Sequence, residues 1–383
     1  MMKQGWEIKK LGEVCSLIAD GDWIESRHQS DDGIRLIQTG NIGNGVFKAK
    51  DDKPHYISES TFVELGCTEI FAGDCLISRL PDPVGRACIL PETNCRMITA
   101  VDCSIIRFNS DIVSKFFIYY TQCEKYRRDI DNNTTGTTRK RISRKNLESI
   151  CIPIPPREEQ ERIVAELDCL SGIIERKREQ LKELDALAQS IFYQMFGDPI
   201  TNEKGWEAEE LQKVSTLLNG RAYKQNELLD SGRYKVLRVG NFFTNSNYYY
   251  SDLELEDDKY CDNGDLLFAW SASFGAFIWN GGKVIYHYHI WKVLYDKQKL
   301  NIDYYRFLLN TMTAYFMKDV HGIGMVHLTK AGMEQYILPI PPLTLQQEFA
   351  NKIEAIEKQK ELIKQSITQT EELFNSRMSY YFN

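Results

Sequence analysis

The 383-residue sequence lacks long apolar runs and closely paired cysteines. No stretch approaches the roughly 18 consecutive apolar residues that a membrane span needs, and the first residues, MMKQGWEIKKLGEV, contain no apolar secretion signal. The 10 cysteines form no CxxC pair, so we expect reduced thiols and no disulfide framework. These absences predict a soluble protein of the cytoplasm with no membrane partner.

Motifs of known catalytic chemistry are also missing. The sequence has no GxxxxGK(S/T) phosphate loop, no HExxH, no GxSxG and no paired Cys/His zinc spacing. His287 and His289 lie in a run with the pattern of a β-strand, which would place both imidazoles on one face, but no further metal ligand is close in sequence. We therefore predict no catalytic residue and no metal site.

Positive charge is scarce as well. The chain has 47 Lys and Arg against 54 Asp and Glu, a net charge of -7, which argues against a nucleic-acid partner because basic side chains neutralise phosphates. The deficit is uneven: residues 1–150 are neutral overall, whereas residues 151–200 and 339–383 carry 5 of the 7 excess negative charges. Residues 125–145 hold eight basic side chains against two acidic ones, a local charge of +6. A DNA-binding surface therefore remains open.

An internal repeat organises what is present. Four pairs of segments match in order: GWE at 5–7 and 205–207, IRLIQTGN at 34–41 and YKVLRVGN at 234–241, GDCLIS at 73–78 and GDLLFA at 264–269, and ISRKNLESICIPIPP at 142–156 and LTKAGMEQYILPIPP at 328–342. The offsets fall from 200 to 186, which indicates one unit of nearly 190 residues, duplicated with small deletions in the second copy.

Each repeat has two unlike parts. The first mixes short β-type runs with turn residues and one helix candidate. The second starts at a PIPP cluster, after which a helix can begin. The predicted β-runs are residues 34–37, 74–77, 100–108, 234–239, 266–270 and 284–294, and the helix candidates are 114–126 and 303–317. The pattern predicts an α+β fold with two β-rich α+β domains.

Two long helices follow the two PIPP clusters. Apolar residues spaced alternately by four and three form a coiled-coil seam in each helix, interrupted by Lys177 in the first and by Lys360, Thr370 and Arg377 in the second. The seam residues are Ile163, Leu167, Leu170, Ile174, Leu181, Leu184, Ile353, Ile356, Ile363 and Ile367. We predict that the two helices pair as an antiparallel coiled coil, with the two domains related by a pseudo-two-fold axis; packing of each helix on its own domain is the alternative.

These observations predict four segments. They are domain 1 at residues 1–152, helix 1 at 153–198, domain 2 at 199–338 and helix 2 at 339–383.

Candidate DNA-binding residues concentrate in loops between matching flanks. The sequence NNTTGTTRKR around Gly136 combines small polar side chains with basic ones, as phosphate and base contacts require, although a solvated loop is an equal alternative. Its counterpart at 321–330 is nearly neutral, as expected of two readers of different sequences. The candidates of the first repeat are Gln38, Asn41, Arg79, Arg86, Thr135, Gly136, Thr137, Arg139, Lys140, Arg141 and Arg144; those of the second are Arg238, Asn241, Ser271, Ser273, Lys283, His321, His327 and Lys330.

The doubled order of these motifs resembles the specificity (S, or HsdS) subunits of type I restriction–modification systems. The resemblance covers essentially the whole chain and rests on GWE, GN, GDxL and the CIPIPPREEQERIVAELD segment. It implies two target-recognition domains that each read half of a bipartite site in double-stranded DNA, and helices that act as a spacer. It further implies two methyltransferase (M) subunits that bind S-adenosylmethionine and methylate adenine, and motor/nuclease (R) subunits as partners. No cofactor is then expected in this chain.

Two other functions stay open on the sequence. One is a coiled-coil scaffold or adaptor whose domains bind protein, which the acidic charge favours. The other is a DNA-modifying enzyme with an unrecognised site.

Overall fold

The computed structural model describes residues 5–243, 247–271, 273–319 and 328–383. The chain forms two compact units, one of residues 1–177 with 366–383 and one of residues 178–365. Each unit therefore contains a globular part and one segment from each long helix. The segment boundaries predicted from the sequence stay a prediction. Within the described residues, no helix is long and apolar enough to cross a membrane.

The globular part of the first unit is built on two sheets. Its strands are β1 (Glu7–Lys10), β2 (Cys15–Asp20), β3 (Gln29–Ser30), β4 (Ile34–Ile37), β5 (Tyr56–Ile57), β6 (Glu69–Ile70), β7 (Cys75–Ser78), β8 (Ala87–Ile89), β9 (Met97–Thr99), β10 (Cys103–Phe108), β11 (Thr134–Thr135), β12 (Arg141–Ile142) and β13 (Cys151–Ile154). One sheet has the order β2-β10-β7-β8 and the other the order β3-β5-β4-β9-β6, in which β4 and β9 are parallel. The helices are α1 (Glu59–Leu65), α2 (Ser114–Tyr120), α3 (Glu124–Asn132) and α4 (Arg144–Glu148), and the long helix α5 (Arg157–Phe196) follows.

The second unit repeats this plan. Its strands are β14 (Ala208–Glu210), β15 (Ser215–Asn219), β16 (Tyr234–Leu237), β17 (Tyr249–Ser251), β18 (Tyr260–Cys261), β19 (Leu266–Ser271), β20 (Ser273–Ile278), β21 (Val284–Tyr286), β22 (Ile290–Tyr295) and β23 (Ile337–Pro339). The sheet β15-β22-β19-β20 matches the first sheet of the first unit, and β17-β16-β21-β18 again contains a parallel pair, β16 with β21. The helices are α6 (Leu211–Val214), α7 (Ile302–Phe316), α8 (Lys330–Glu334) and the long α9 (Leu343–Phe382).

Three of the predicted strands are shorter than the sequence suggested. The run predicted at 234–239 forms β16, which ends at Leu237. Residues 284–294 form two strands, β21 and β22, with a turn at 287–289 between them, and β10 begins only after a turn at 100–102. The expectation that His287 and His289 share one face of a strand is therefore wrong. The predicted helix at 114–126 is also divided, into α2 and the start of α3, whereas α5 is one continuous helix over residues 157–196, inside the predicted segment 153–198.

The long helices pair antiparallel within each unit, which confirms the predicted pairing. In the first unit, Arg377 of α9 bonds to Glu166 of α5 and Lys177 bonds to Ser366, so partner numbers fall along α9 as they rise along α5. The Arg377 guanidinium lowers the pKa of the Glu166 carboxyl. In the second unit, Lys360 lies 2.7 Å from Asp185.

The seam residues are also anchored in the globular cores. Ile163 and Leu167 of α5 pack in the core of the first unit with Met378, Tyr381 and Phe382 of α9. In the core of the second unit, residues of both helices meet apolar side chains of the globular part; these helix residues are Ala188, Phe192, Phe196, Phe349, Ile353 and Ile356. The remaining seam positions are half-buried or buried: Leu170, Ile174, Leu181, Leu184, Ile363 and Ile367. The long helices therefore pack on the globular parts and also pair with each other, so the two arrangements considered as alternatives occur together.

A buried glutamine fixes the start of each long helix. Gln160 donates to the carbonyls of Pro155 and Asp111 and accepts from the Val113 N–H. Gln346 makes the same three kinds of bond in the second unit, at 2.8 Å each, and both side chains are fully buried. The two helix starts, REEQ and LTLQ, therefore share their structural residue despite their different sequences.

Candidate nucleic-acid interface

The candidate site of the first unit lies where the parallel strands β4 and β9 end. Ile37 and Thr99 are partners in this pair, and the N–H of Ala100 donates to the Ile37 carbonyl at 2.8 Å. The chain then turns through residues 100–102 and returns as β10; we call these residues the first anchored turn. Gln38 directly follows β4, so the fold places this predicted residue beside the turn.

Arg79 holds this turn in place through main-chain and side-chain contacts. Its main-chain N–H donates to the Asp102 carbonyl at 2.9 Å, and its guanidinium donates to the Val101 carbonyl at 2.5 Å and lies 3.2 Å from Asp20. Burial lowers the pKa of Arg79. These contacts give the Arg79 side chain a structural part in the turn.

A glycine makes the close approach of the turn possible. A Cβ atom at Gly21 would lie 2.3 Å from the Thr99 carbonyl oxygen and 2.4 Å from that of Ala100, distances that no side chain tolerates. The Gly21 N–H also donates to the Cys103 carbonyl at 2.9 Å. Only glycine therefore fits here.

The basic loop of the first unit is exposed beside this turn. It connects β11 with β12, and Gly136 adopts a φ of 98° in which a Cβ would lie 2.5 Å from the Arg139 carbonyl oxygen. Arg141 and Arg139 lie 2.9 Å and 3.9 Å from the Asp102 carboxylate, with side chains 44% and 73% exposed. Thr135, Thr137 and Lys140 are exposed in the same loop, and Arg144, at the start of α4, pairs with Glu148 at 3.4 Å. The structure thus brings the loop and the turn into one surface.

Two other predicted residues of the first unit act inside the fold. Arg86 is 8% exposed and donates to four main-chain carbonyls, those of Thr39, Ile42, Leu80 and Pro83, at 2.7–2.9 Å. Burial lowers the pKa of Arg86. These bonds occupy the guanidinium, so no outward-facing group of Arg86 supports its prediction as a DNA-binding residue.

Asn41 is the second such residue. Its side chain is buried, accepts from the Gln38 N–H at 2.9 Å and donates to the Lys48 carbonyl at 2.9 Å. Asn241 makes the matching bond to the Arg238 N–H at 2.8 Å. Each asparagine thus fixes the main chain of the residue three positions earlier, Gln38 or Arg238.

The second unit builds the same site with other side chains. The N–H of His287 donates to the Leu237 carbonyl at 2.9 Å, and residues 287–289 form what we call the second anchored turn. Trp270 replaces Arg79: its N–H donates to the His289 carbonyl at 3.1 Å and its indole Nε1 to the Tyr288 carbonyl at 2.9 Å. A Cβ at Gly220 would lie 2.4 Å from the carbonyl oxygens of Tyr286 and His287, as at Gly21.

The other predicted residues of the second unit are dispersed. Arg238 is exposed at the end of β16, beside the turn, and its guanidinium lies 5.2 Å from the ring centre of Tyr249. Lys283 precedes β21 and so lies at the opposite end of that strand. Ser271 is buried, Ser273 is half-buried, and Lys330 lies 3.6 Å from Glu334. His321 and His327 lie outside the described residues.

The sequence reasoning missed both anchored turns. The sequence feature that could have revealed the turns is a glycine that recurs at matching positions of the two repeats, 21 and 220. Each glycine is far in sequence from the turn that it accommodates. Burial lowers the pKa of His287 in the second turn to about 4, with further contributions from His289 and Arg238. Among the described residues, no cluster of three or more acidic, His or Cys side chains could hold a metal ion.

The family model for the type I restriction modification DNA specificity domain matches this chain twice, at residues 3–185 and 203–372. The chain belongs to this family. The two matches coincide with the two repeats and account for the shared scaffold of the anchored turns. Membership also argues against the scaffold or adaptor function.

The chain is also similar to several specificity subunits of type I restriction enzymes. The chain is 25% identical over 299 residues to the EcoKI specificity subunit of Escherichia coli (strain K12), covering 70% of this chain and 61% of that protein. It is 20% identical over 384 residues to the putative MjaX specificity subunit of Methanocaldococcus jannaschii, covering 92% and 87%. The match to the MjaVIII specificity subunit of the same organism, at 21% identity, spans 60% of each protein. The chain thus spans about three fifths of the length of some curated relatives.

Solved structures support the fold. A structure from work on the assembly and conformational transition of a type I R-M system matches with a TM-score of 0.62 at 16% identity, over 100% of this chain and 99% of that one. The S subunit from M. genitalium matches with a TM-score of 0.53 at 11% identity, over 97% and 95%. The likeness extends over both units.

Proposed function

We propose that this protein is the DNA-specificity subunit of a type I restriction–modification complex, in which each unit reads one half of a bipartite site. The observation that carries the proposal is the repeated anchored turn, which has one main-chain geometry in both units and different side chains in each. A family member with two such sites is suited to two different half-sites, because base edges distinguish side chains by their hydrogen-bonding groups.

The catalytic steps are assigned to partners. We propose that two methyltransferase (M) subunits bind S-adenosylmethionine and methylate adenine, that motor/nuclease (R) subunits join for cleavage, and that this chain contributes recognition only. We propose the cytoplasm as its place of action, where the DNA substrate is found. The long helices serve as the spacer between half-sites and as the docking surface for the M subunits.

The charge distribution suggests how phosphates are held. The chain has a net charge of -7, and its basic side chains cluster in the loop beside the first anchored turn. A protein of this charge makes few phosphate contacts by itself, and its affinity then depends on basic surfaces of its partners. We expect the isolated chain to bind DNA weakly and the complex with M subunits to bind it tightly.

A gel-shift series tests this function. The complex with M subunits is titrated with duplexes that carry or lack the methylated site, at several salt concentrations. The proposal expects an affinity for site-bearing DNA that falls steeply as salt rises. Replacement of Arg139, Lys140 and Arg141 by Ala should weaken binding by roughly 10-fold or more and make the salt dependence shallower.

A matched variant controls for general loss of charge. Arg96→Ala and Arg233→Ala remove exposed arginines that directly precede β9 and β16, at the opposite ends of these strands from the anchored turns, where each lies next to a glutamate. These changes should leave the salt dependence of DNA binding unaltered. A complex without any affinity for DNA at low salt would contradict the proposed function.

A further inference from the structure

The second anchored turn has an aromatic surface that the first one lacks. The ring centres of Tyr288 and His289 are 3.9 Å apart, those of His287 and Tyr288 are 4.5 Å apart, and the Trp270 ring lies 5.2 Å from His289. Tyr288 is 38% exposed. The matching residues of the first unit are Ala100, Val101, Asp102 and Arg79, none of which has a ring.

The fold does not require a tyrosine at this position. The turn is held by main-chain groups of residues 286–289 and by Trp270, and the Tyr288 carbonyl, not its ring, accepts the indole N–H. The first unit makes the same turn with Val101 in the same place. A large aromatic side chain that is exposed and unnecessary for anchoring needs another explanation.

The surroundings of the turn point to DNA as that explanation. In the first unit, the N–H of Ile142, at the end of the basic loop, donates to the Arg79 carbonyl at 3.2 Å. In the second unit, the N–H of Leu328, the counterpart of Ile142, donates to the Trp270 carbonyl at 3.4 Å, so this residue joins the scaffold at the matching point. Arg238 borders the other side of the turn, where the first unit has Gln38.

We propose that Tyr288, with His287 and His289 on either side of it, contacts the DNA and determines which bases the second unit reads. The inference rests on the proposed function. A tyrosine hydroxyl and neutral imidazoles both donate and accept hydrogen bonds, which suits them to the mixed donor and acceptor pattern of base edges, and the rings provide apolar contact for a thymine methyl group. The first unit uses Asp102 with Arg139 and Arg141 at this place and reads a different sequence.

The test uses the full complex with M subunits. Its affinity is measured for two sets of duplexes. In one set the first half-site is kept and each position of the second is varied, and in the other set the second half-site is kept and each position of the first is varied. Tyr288→Ala should reduce discrimination by about 10-fold to 100-fold at one or more positions of the second half-site, as loss of a base contact does. Discrimination within the first half-site should stay within twofold of the native value and reports that the complex is intact.

Two further variants keep the result decisive. Tyr288→Phe removes only the hydroxyl and should lower discrimination at a position read by a hydrogen bond. Leu294→Ala truncates another exposed side chain of the strand that leaves the turn and should change nothing.

Unchanged discrimination in Tyr288→Ala, or an equal loss of affinity for every duplex, would overturn the proposal for this turn. A native complex that does not distinguish the duplexes at all would instead overturn the proposed function.

Discussion

The two anchored turns share one main-chain geometry but carry different side chains on their surfaces. Gly21 and Gly220 each allow a chain crossing that leaves no room for a Cβ, and Arg79 and Trp270 donate to matching carbonyls. On this common frame the first turn presents a carboxylate paired with arginines, whereas the second presents Tyr288 between two histidines. Main-chain bonds and a few fixed side chains therefore hold each turn, which leaves the outward side chains free to differ.

The shared main-chain geometry of the two turns depends most strongly on Gly21 and Gly220. Gly21→Ala and Gly220→Ala should each lower the free energy of unfolding of their own unit by about 3–4 kcal/mol, since the new Cβ would press on carbonyl oxygens at 2.3–2.4 Å. Urea titrations followed by hydrogen exchange of peptides from each unit would measure this. Gly12→Ala is the control, because its Cβ would meet nothing closer than 3.5 Å. Tolerance of alanine at only one of the two positions would show that the two turns do not share the same main-chain geometry.

A second prediction separates structural from outward arginines. Arg86→Ala should destabilise the first unit by about 3 kcal/mol, because it leaves buried carbonyls without their charged donor. Arg139→Ala should change stability by less than about 0.5 kcal/mol, since its side chain is 73% exposed. The same urea titrations give both values. Equal effects of the two substitutions would refute the distinction drawn between these residues.

The third prediction concerns pH and applies to the second turn alone. His287 has a pKa of about 4 in the folded protein against an ordinary value of 6.5, so the unfolded chain binds the proton more tightly. The second unit should therefore lose about 2 kcal/mol of stability as pH falls from 7 to 5 because of this group. The Arg238 guanidinium, and the His289 imidazole when it is protonated, also disfavour the His287 imidazolium and so lower its pKa further.

Substitution identifies the group responsible. His287→Gln should remove most of this pH dependence when urea unfolding is followed at pH 7 and pH 5. The first unit has Ala100 at the matching position and should show no such contribution from its turn. An unaltered pH dependence in the glutamine variant would assign the effect to other groups.

The sequence predicted the large elements of the fold well. The seam of four-three spacing predicted a long helix after the first PIPP cluster, because its apolar residues repeat over many turns, and α5 covers residues 157–196 there. The duplicated motifs predicted a repeated plan, and the family model matches the chain twice, at residues 3–185 and 203–372. Antiparallel pairing followed from the repeat and is visible in the bond between Glu166 and Arg377.

The candidate site was harder to predict because its shape depends on distant residues. The run VIYHYHIWKVL has the composition of one strand, yet it is divided by a turn that Gly220 and Trp270, far away in sequence, hold in place. Arg86 looked like a DNA-binding residue, since sequence alone does not show that four carbonyls surround its guanidinium. Burial and main-chain partners decided its role.

Mapping of methylated adenines would show whether each unit reads its own half-site. The chain is expressed with its M subunits in a host without other adenine methylation, and the methylated positions of the genome are aligned. The account predicts one bipartite motif with two different half-sites and an unspecified spacer of fixed length, and a change in only the second half-site when Tyr288 is replaced. Methylation at a single continuous motif, or at none, would contradict it.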